Sequence, residues 1–405
     1  MVERTEEYGA GLAQLMSPEV TRAPQPIFSM LQESTPVFRV DGVGVIVASR
    51  AGVEHVLHDP ELFSSGVTAH DMKTARPLIP LQIDPPDHRK YRKILDPLFA
   101  PQRMREREHQ LRALVNELID GFIDEPTIDF VQRFSTPFPS QVFLTMFGLP
   151  MDDLDTFLAM KDGAIRPDSV TGQPLGHPDT EAYQQQNADS IYAYFTRIIA
   201  ERGADRADDL LSAFLDAEVD GDRLSHEEIL DICFLFLIAG LDTVTASLDC
   251  MFTHLAEHPD DRQRLLDDPD AIAGIVEELL RWETPVMGGA RVATRATEID
   301  GFEIAAGEQV MVLFGAANID PAETECPMQL TWDREVNRHL AFGGGIHRCL
   351  GSHLARIELR VALTEWHRRI PDYSVAPGAD LEFTPGIRTL AAFPMDLARR
   401  DGGDR

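Results

Sequence analysis

The sequence predicts a mainly α-helical fold with a smaller β portion. Apolar residues recur with helical spacing over most of residues 87–283, most clearly in the stretch 226–258. Between residues 286 and 315 the pattern changes to short runs rich in valine, threonine and isoleucine, which is typical of strands. No internal repeat, low-complexity tract or linker divides the chain. We therefore expect one domain over residues 1–405, α-rich at about 84–283 and 350–370 and β-rich at about 36–50, 286–315 and 375–400.

The elements follow one another in an order that the local patterns justify. Residues 27–35 and 52–63 have the composition of short helices, and between them residues 37–50 alternate around Asp-Gly-Val-Gly, which predicts a hairpin. Prolines make residues 64–82 irregular. A last helix is predicted over residues 354–370, after which turns and short strands continue to the end.

Composition excludes several classes of protein. The chain of 405 residues has 67 acidic and 37 basic residues and a net charge of -30, so its surface repels nucleic acids and anionic membranes. Its four cysteines form no CxxC pair, which argues against a zinc site or a disulfide framework. The N-terminus is charged, and the most apolar run, residues 232–241, is too short to cross a bilayer. We expect a cytoplasmic protein without a membrane anchor, and a monomer.

The segment 339–351 contains the most informative residues. Three consecutive glycines, Gly343 to Gly345, precede Cys349, and Gly351 follows it. Glycines remove side chains and allow a loop to approach a flat, bulky group closely. A helix is predicted from near Ser352, and its N-terminal N–H groups would stabilise an anionic thiolate. The alternative is a buried structural cysteine after a glycine-rich turn.

Three further motifs place polar or charged side chains in predicted helices at positions where they could have a function. Asp242 and Thr243 interrupt the most apolar helix in the sequence Ala239-Gly240-Leu241-Asp242-Thr243, although the threonine hydroxyl could simply bond to its own helix. Glu278 and Arg281 are three residues apart, a spacing that also decorates many solvated helices. The third motif is a pair of bases four apart on one helix face, His88 and Arg92, which could equally be surface residues.

The motif FGxGxHxCxG at residues 342–351 matches the haem-binding loop of the cytochrome P-450 family position by position. The chain resembles this family from about residue 27 to 395, with its motifs in the same order. The resemblance implies that Cys349 is the axial thiolate ligand of a haem b iron. It also implies a set of cofactor-binding residues: His88, Arg92, Arg291, Phe342, His347, Cys349 and Gly351.

The resemblance implies the remaining roles as well. Asp242 and Thr243 are expected to deliver protons during the activation of O2, the co-substrate. Glu278 and Arg281 are expected to form a structural cluster with Arg334, for which Arg338 is an alternative. The implied reaction is a monooxygenation, in which one oxygen atom of O2 enters a C–H bond. A peroxide-dependent peroxygenase is an alternative that the acid-alcohol pair argues against, and a haem sensor or electron carrier is another.

Substrate is the least determined feature. The chain is similar to the soluble bacterial class that includes the camphor hydroxylase. It has Arg76 where that enzyme has its substrate-bonding tyrosine and Gly289 where it has an acidic residue near the haem edge, so camphor is not expected. A terpenoid is favoured, with steroids, fatty acids or small aromatics as alternatives. Arg76 and Arg388 could meet a carboxylate or carbonyl, or face solvent. The expected pocket residues are Arg76, Leu235, Ile238, Ala239, Val286, Met287, Gly288, Ile387 and Arg388.

Electrons are expected from a separate ferredoxin and its NAD(P)H-dependent reductase, because no flavin or iron–sulfur module is visible in the sequence. The resemblance places a basic cluster on the thiolate side of the haem, where it would attract an acidic partner. Its members are Arg89, Lys90, Arg92, Lys93 and Arg348. A solvated helix face is the alternative interpretation.

Overall fold

Helices form most of the molecule, so the predicted mainly α class with a smaller β portion is confirmed. The computed structural model describes residues 17–69, 74 and 76–398. The α-helices are α1 (Pro18–Arg22), α2 (Gln25–Ser34), α3 (Arg50–His58), α4 (His88–Leu95), α5 (Pro101–Glu106), α6 (Glu108–Asp120), α7 (Pro137–Phe147), α8 (Leu154–Ile165), α9 (Pro167–Thr171), α10 (Pro178–Ala204), α11 (Leu210–Asp216), α12 (His226–Glu257), α13 (Pro259–Asp267), α14 (Ile272–Glu283), α15 (Phe314–Asn318) and α16 (Ser352–Arg369).

The strands are short and lie mostly at the two ends of the chain. They are β1 (Val37–Val40), β2 (Gly44–Val47), β3 (Phe63–Ser64), β4 (Thr127–Asp129), β5 (Glu218–Val219), β6 (Asp222–Arg223), β7 (Gly288–Ala293), β8 (Thr297–Ile299), β9 (Phe302–Ile304), β10 (Gln309–Leu313), β11 (Tyr373–Val375) and β12 (Pro394–Leu397). The sequence pattern misses β4, β5 and β6 inside the helical region, because strands of two or three residues carry no measurable periodicity.

One mixed sheet joins distant parts of the chain. Its order is β1-β2-β10-β7-β3, with β2 and β10 parallel and the other pairs antiparallel. The predicted hairpin is its β1–β2 pair, in which Val37 lies opposite Val47. Gly288 begins β7 so close to β10 that a Cβ there would collide with the Val312 carbonyl. The sheet thus holds residues 288–291 at the edge of the helical core. A second sheet, β11-β12-β4, packs the C-terminal segment onto the helices.

The central helix α12 is long because its sequence starts and stops it cleanly. Ser225 and Glu228 form a capping box at its N-terminus, and Pro259 follows its C-terminus. Within the described part of the chain, α12 alone is long and apolar enough to cross a membrane, but 72% of its apolar window is buried inside the protein. It is therefore packed as a core helix, against α7, α10 and α16.

The cysteine loop lies between α3 and α16. Gly345 has a φ of +62°, and a Cβ at this residue would overlap the Leu57 carbonyl at the end of α3. Only glycine fits this position, because the backbone is left-handed and the neighbouring chain is too close. The helix after the cysteine begins at Ser352 and packs against α6 and α14.

Candidate active site

A cavity of about 810 Å³ lies between α12 and the cysteine loop. From α12 it is lined by Leu235, Ile238, Ala239, Gly240 and Thr243. The loop and the start of α16 contribute Phe342, Gly343, His347, Cys349 and Gly351. Thr243 of the central helix and Cys349 of the loop therefore line the same cavity, although they are 106 positions apart in the sequence.

Cys349 is held by its backbone with its thiol facing the cavity. Its N–H donates to the Phe342 carbonyl at 2.9 Å, and the residue is exposed where it lines the cavity. The protein around Sγ raises the pKa of the thiol by desolvation, while the Gly351 N–H and the guanidinium groups of Arg348 and Arg92 act in the opposite direction. A coordinated metal ion would complete the stabilisation of the thiolate.

Basic groups form one end of the same cavity. Arg92, Arg291 and His347 line it, and His88 is buried behind His347 with the ring centroids 4.4 Å apart. Arg291 is 6% exposed, and no carboxylate of the described residues forms an ion pair with it. Desolvation lowers the pKa of Arg291 to about 10, and desolvation followed by the charge of Arg92 lowers that of His88 to about 4.

These groups fit the carboxylates of a haem. A buried guanidinium that faces a cavity without a counterion is costly unless a ligand supplies the anion. Nε2 of His88 is also buried and has no hydrogen-bond partner in the described structure. Two propionates at this end, with an iron at Cys349, would supply the counterions for Arg291 and Arg92. His88 does not itself line the cavity, so its expected contact with the cofactor stays a prediction.

Asp242 and Thr243 point in different directions from α12. Asp242 is 1% exposed and forms ion pairs with Lys161 Nζ at 3.0 Å and with Arg166. Thr243 lines the cavity and donates its hydroxyl to the Ala239 carbonyl at 2.9 Å, the intrahelical bond considered from sequence. Sequence reasoning missed Lys161 and Arg166. Their signal was the position of Lys161 four residues after Phe157, on the buried face of α8.

Glu278 is the centre of a buried cluster. Arg281 donates to both of its carboxylate oxygens at 2.8 Å, and Arg334 donates to both at 3.0 and 3.2 Å. Arg334 therefore occupies the position for which Arg338 was the alternative; Arg338 is exposed. Desolvation acts to raise the pKa of Glu278, but the bonds from Arg281 and Arg334 lower it overall.

The adjacent Glu277 also links α14 to the cysteine loop, and the sequence did not predict this contact. It accepts hydrogen bonds from His339 at 3.0 Å and from Arg356 at 2.6 and 2.8 Å. Burial acts to raise the pKa of Glu277, but the bonds from His339 and Arg356 lower it to about 2. The two glutamates of α14 thus bind both ends of the cysteine loop.

The apolar wall contains most of the expected pocket residues. Leu235, Ile238, Ala239, Val286, Gly288 and Ile387 line the cavity. Met287 does not, because alternation along the chain turns it to the other side, where it packs with Phe28 and Leu31 of α2. Its expected place in the pocket is wrong.

Arg388 is also wrongly expected in the pocket. It is 1% exposed and donates to Glu283 Oε2 at 2.9 Å, to the Thr21 carbonyl at 2.6 Å and to the Arg22 carbonyl at 2.8 Å. A guanidinium saturated in this way anchors the C-terminal loop to α1 and α14. It neither meets a substrate nor faces solvent.

Arg76 does not line the cavity either. Its Nε lies 2.9 Å from Asp231 Oδ2 on α12, and its guanidinium stacks on the Tyr192 ring of α10 at 5.1 Å. The side chain therefore links the segment before α4 to two helices. The expectation that it contacts substrate is corrected by this pairing.

The basic cluster is partly neutralised. Lys90 pairs with Glu228 at 2.8 Å, Lys93 with Asp220 at 2.7 Å, and Arg92 with Asp96 at 2.7 Å. Three of the five basic side chains thus have an acid beside them, on α12, in the β5–β6 turn or just after α4, which lowers the net positive charge of the cluster.

Arg89 and Arg348 are exposed and form no ion pair with the described residues. Arg105, from the end of α5, adds to them: with Arg348 and Arg356 it lowers the pKa of His353, after the larger effect of desolvation. Arg105 and Arg348 therefore lie near the start of α16. Arg89 lies on α4, three positions before Arg92, which donates to the Arg348 carbonyl at 2.8 Å. We call Arg89, Arg105 and Arg348 the basic face.

The fold and the cysteine cavity define a haem-thiolate protein, and comparison with known proteins gives the family. The family model for cytochrome P450 matches residues 17–369, so the chain belongs to the cytochrome P450 family. It is 35% identical to a steroid C26-monooxygenase of Mycobacterium tuberculosis, over 91% of this chain and 93% of that one. It is 32% identical to the mycinamicin IV hydroxylase/epoxidase of Micromonospora griseorubida, over 91% and 94%. The structure of CYP109E1 from Bacillus megaterium in complex with testosterone superimposes with a TM-score of 0.85 at 28% identity, over 95% and 100%.

Membership establishes the chemistry in outline. The chain is a cytochrome P450 monooxygenase, an oxidoreductase that binds haem b and uses O2. The predictions of family, cofactor and enzyme class are thereby confirmed.

Proposed function

We propose that the chain hydroxylates a compact, neutral hydrophobic molecule of terpenoid or steroid size, with electrons from a separate ferredoxin and its NAD(P)H-dependent reductase. The overall reaction converts R–H, O2, two electrons and two protons into R–OH and water. The observation that carries the proposal is the presence of Cys349 and Thr243 on one largely apolar cavity.

The cofactor would be held by residues already described. Cys349 would ligate the iron, and Phe342 and Gly351 would flank it in the loop. Arg92, Arg291 and His347 would bind the propionates, with His88 behind them. Bound haem supplies the activation of dioxygen for insertion into an unactivated C–H bond. The protein supplies the shape, charge and protons around it.

Proton delivery is the proposed role of Asp242 and Thr243. Thr243 presents its hydroxyl at the cavity wall, where it can donate to dioxygen after leaving the Ala239 carbonyl. Asp242 lies next to it and reaches toward the surface through Lys161 and Arg166, whose side chains are 8% and 21% exposed. A carboxylate between a hydroxyl at the cavity wall and the partly exposed Arg166 is suited to passing protons inward.

The distribution of charge favours a neutral substrate. Among the described lining residues, Arg92, Arg291, Arg348 and His347 all lie on the side of the cysteine loop and α4. On the α12 side the wall is apolar apart from the hydroxyls of Thr243 and Ser247. The acidic lining residues are Glu181 of α10 and Glu358 of α16, and Gln184 of α10 is also polar. Arg76 is paired with Asp231 and Arg388 is bonded to Glu283 and α1, so neither of these two cations lines the cavity to bind a fatty-acid carboxylate. The similarity to an enzyme named as a steroid C26-monooxygenase agrees with this preference.

The partner and the setting complete the proposal. A ferredoxin with an acidic surface would dock at the basic face, where local positive charge contrasts with a net charge of -30. We infer one catalytic domain, because the cavity takes its walls from segments as distant as Leu57 and Ile387. The acidic surface and the burial of α12 support a cytoplasmic monomer without a membrane anchor.

Three measurements test this function. Cys349→Ser should abolish the strongly red-shifted carbon monoxide band of the reduced protein, because a hydroxyl is a far poorer donor to iron than a thiolate. A panel of terpenoids, steroids and fatty acids, screened by substrate-induced spin shift, should give its tightest binding with a neutral polycycle. We expect product to form with ferredoxin, reductase and NAD(P)H, and we expect none with peroxide alone. A retained carbon monoxide band, or preference for a carboxylate, would contradict the proposal.

A further inference from the structure

Lys161 and Arg166 both pair with Asp242, and we call these two side chains the clamp on Asp242. The loop of residues 384–390, next to the substrate wall, bonds directly to Arg166 of this clamp. Arg166 Nη2 donates to Thr389 Oγ1 at 2.9 Å and also bonds to Asp242. Its other terminal nitrogen, Nη1, donates to Asp162 Oδ1 at 3.1 Å. Thr389 is the hydroxyl that meets the guanidinium from the C-terminal side, and it is 5% exposed. The orientation of Arg166 is thus determined by two acids and one threonine.

The hydroxyl of Thr389 belongs to a chain with one consistent direction. Thr384 Oγ1 lies 2.5 Å from the Ile387 carbonyl, to which it can only donate. The 2.9 Å bond between Thr384 and Thr389 must therefore be donated by Thr389. Thr389 in turn accepts from Arg166. The bonds run from the Asp242 clamp to the backbone of Ile387, a residue that lines the cavity.

The loop that carries this chain is rigidly anchored. Ile387 forms a β-bridge with Val286, which also lines the cavity. The N–H of Leu390 donates to Asp249 Oδ2 at 3.0 Å, and Arg388 is saturated by Glu283 and α1. The loop therefore holds Ile387, Thr384 and Thr389 in one fixed arrangement.

We propose that Thr389 is a positioning residue for proton delivery: it orients Arg166 on Asp242 and links that clamp to the substrate wall at Ile387. The proposal rests on the proposed function, because it assumes that Asp242 serves Thr243. Asp242 is buried against Arg166 while Thr243 faces the cavity, so the carboxylate must loosen from Arg166 to reach the hydroxyl. Because Thr389 fixes the plane of the Arg166 guanidinium, Arg166 can return to the same position on Asp242 after each proton transfer.

The test compares Thr389→Val, which removes the hydroxyl at equal shape, with Thr389→Ser, which keeps it. Turnover of Thr389→Val should fall about tenfold, as expected for loss of a hydrogen bond from a charged donor. The solvent deuterium isotope effect on turnover should rise, because proton delivery becomes slow, while the substrate Kd and the carbon monoxide band stay unchanged. Thr389→Ser should restore the rate. Thr253→Val is the matched control, since Thr253 is buried and its hydroxyl bonds to none of the described residues.

A double-mutant cycle separates this proposal from the function itself. If Thr389 acts through Arg166, adding Thr389→Val to the Arg166→Gln variant should slow turnover no further. The effects of the two substitutions on the free energy of unfolding should also be non-additive. Wild-type turnover in Thr389→Val, an equal loss in Thr389→Ser, or additivity in both measurements would overturn the inference. A wild type that oxidises no substrate would instead refute the proposed function, and the unfolding cycle would still test the bond.

Discussion

Glu278 and Arg334 are joined by two hydrogen bonds, of 3.0 and 3.2 Å, across 56 positions of sequence. Glu278 is 1% exposed, and Arg281 occupies its other side. Arg334 also donates to the Glu325 carbonyl at 2.7 Å. The pair fixes the irregular segment that leads into the cysteine loop onto α14, so the loop reaches Cys349 from a defined starting point.

The first prediction compares Arg334→Gln with Arg338→Gln. Arg334→Gln should lower the free energy of unfolding by about 2 kcal/mol, because it removes charged hydrogen bonds to a buried carboxylate. It should also reduce the haem content of the purified protein. Arg338→Gln is the matched control, since Arg338 is exposed and should change neither quantity. Chemical denaturation and a pyridine haemochrome assay measure both. Equal effects of the two substitutions would show that the cluster does not support the loop.

The second prediction concerns Thr243. Thr243→Ala should bind substrate and accept electrons normally but divert most of the electron flow to hydrogen peroxide. The hydroxyl lies at the cavity wall, and its proposed role is in proton transfer and not in substrate affinity. Product and peroxide per NAD(P)H are measured together, with Thr243→Ser as the variant that keeps the hydroxyl. Unchanged product yield in Thr243→Ala would refute its role.

The third prediction concerns the basic face. Arg348→Glu should slow reduction by ferredoxin about tenfold at low salt, with little change in substrate affinity, because it reverses charge at the docking surface. Rising ionic strength should slow the wild type toward the variant, since screening over about 8–10 Å removes the attraction. Arg197→Glu, on the exposed side of α10, is the control for a charge reversal elsewhere. Stopped-flow rates that ignore both Arg348 and salt would place the docking site on another surface.

The fourth prediction uses the buried carboxyl of Asp249. Burial raises its pKa to about 7, although the Leu390 N–H and the Ser135 hydroxyl act to lower it. The native protein then holds a proton that the unfolded chain, with a pKa of about 3.9, releases. Stability from this group is full below about pH 4 and is lost as pH rises to about 7, by up to about 1.4 kcal/mol per pH unit.

Asp249→Asn imitates the protonated carboxyl, since the amide can accept from Leu390 and donate to Ser135. The variant should therefore be more stable than the wild type at pH 8 and lose less stability between pH 5 and pH 8. Denaturation at a series of pH values measures the difference, with Asp152→Asn as the exposed control. Parallel pH curves for wild type and Asp249→Asn would mean that Asp249 is ionised throughout.

Local chemistry made some features readable without coordinates. Three glycines followed by a lone cysteine before a helix predicted the loop around Cys349. Such a pattern can be recognised in the sequence because each residue type is required by the local backbone conformation or by its nearest neighbours. The helical period predicted α12, and the turn Asp-Gly-Val-Gly predicted the β1–β2 hairpin for the same reason. The family resemblance then supplied the cofactor.

Contacts between distant segments decided the rest. Sequence left Arg334 and Arg338 as alternatives and placed Arg388 at the substrate wall, because a side chain's direction is invisible in a composition pattern. The structure bonds Arg334 to Glu278 and saturates Arg388 with Glu283 and α1. The clamp of Lys161 and Arg166 on Asp242 likewise joins α8 to α12 across about 80 positions. Sequence determined which residues can do the chemistry; only tertiary packing, through burial and long-range charge pairing, decided which of them face the cavity.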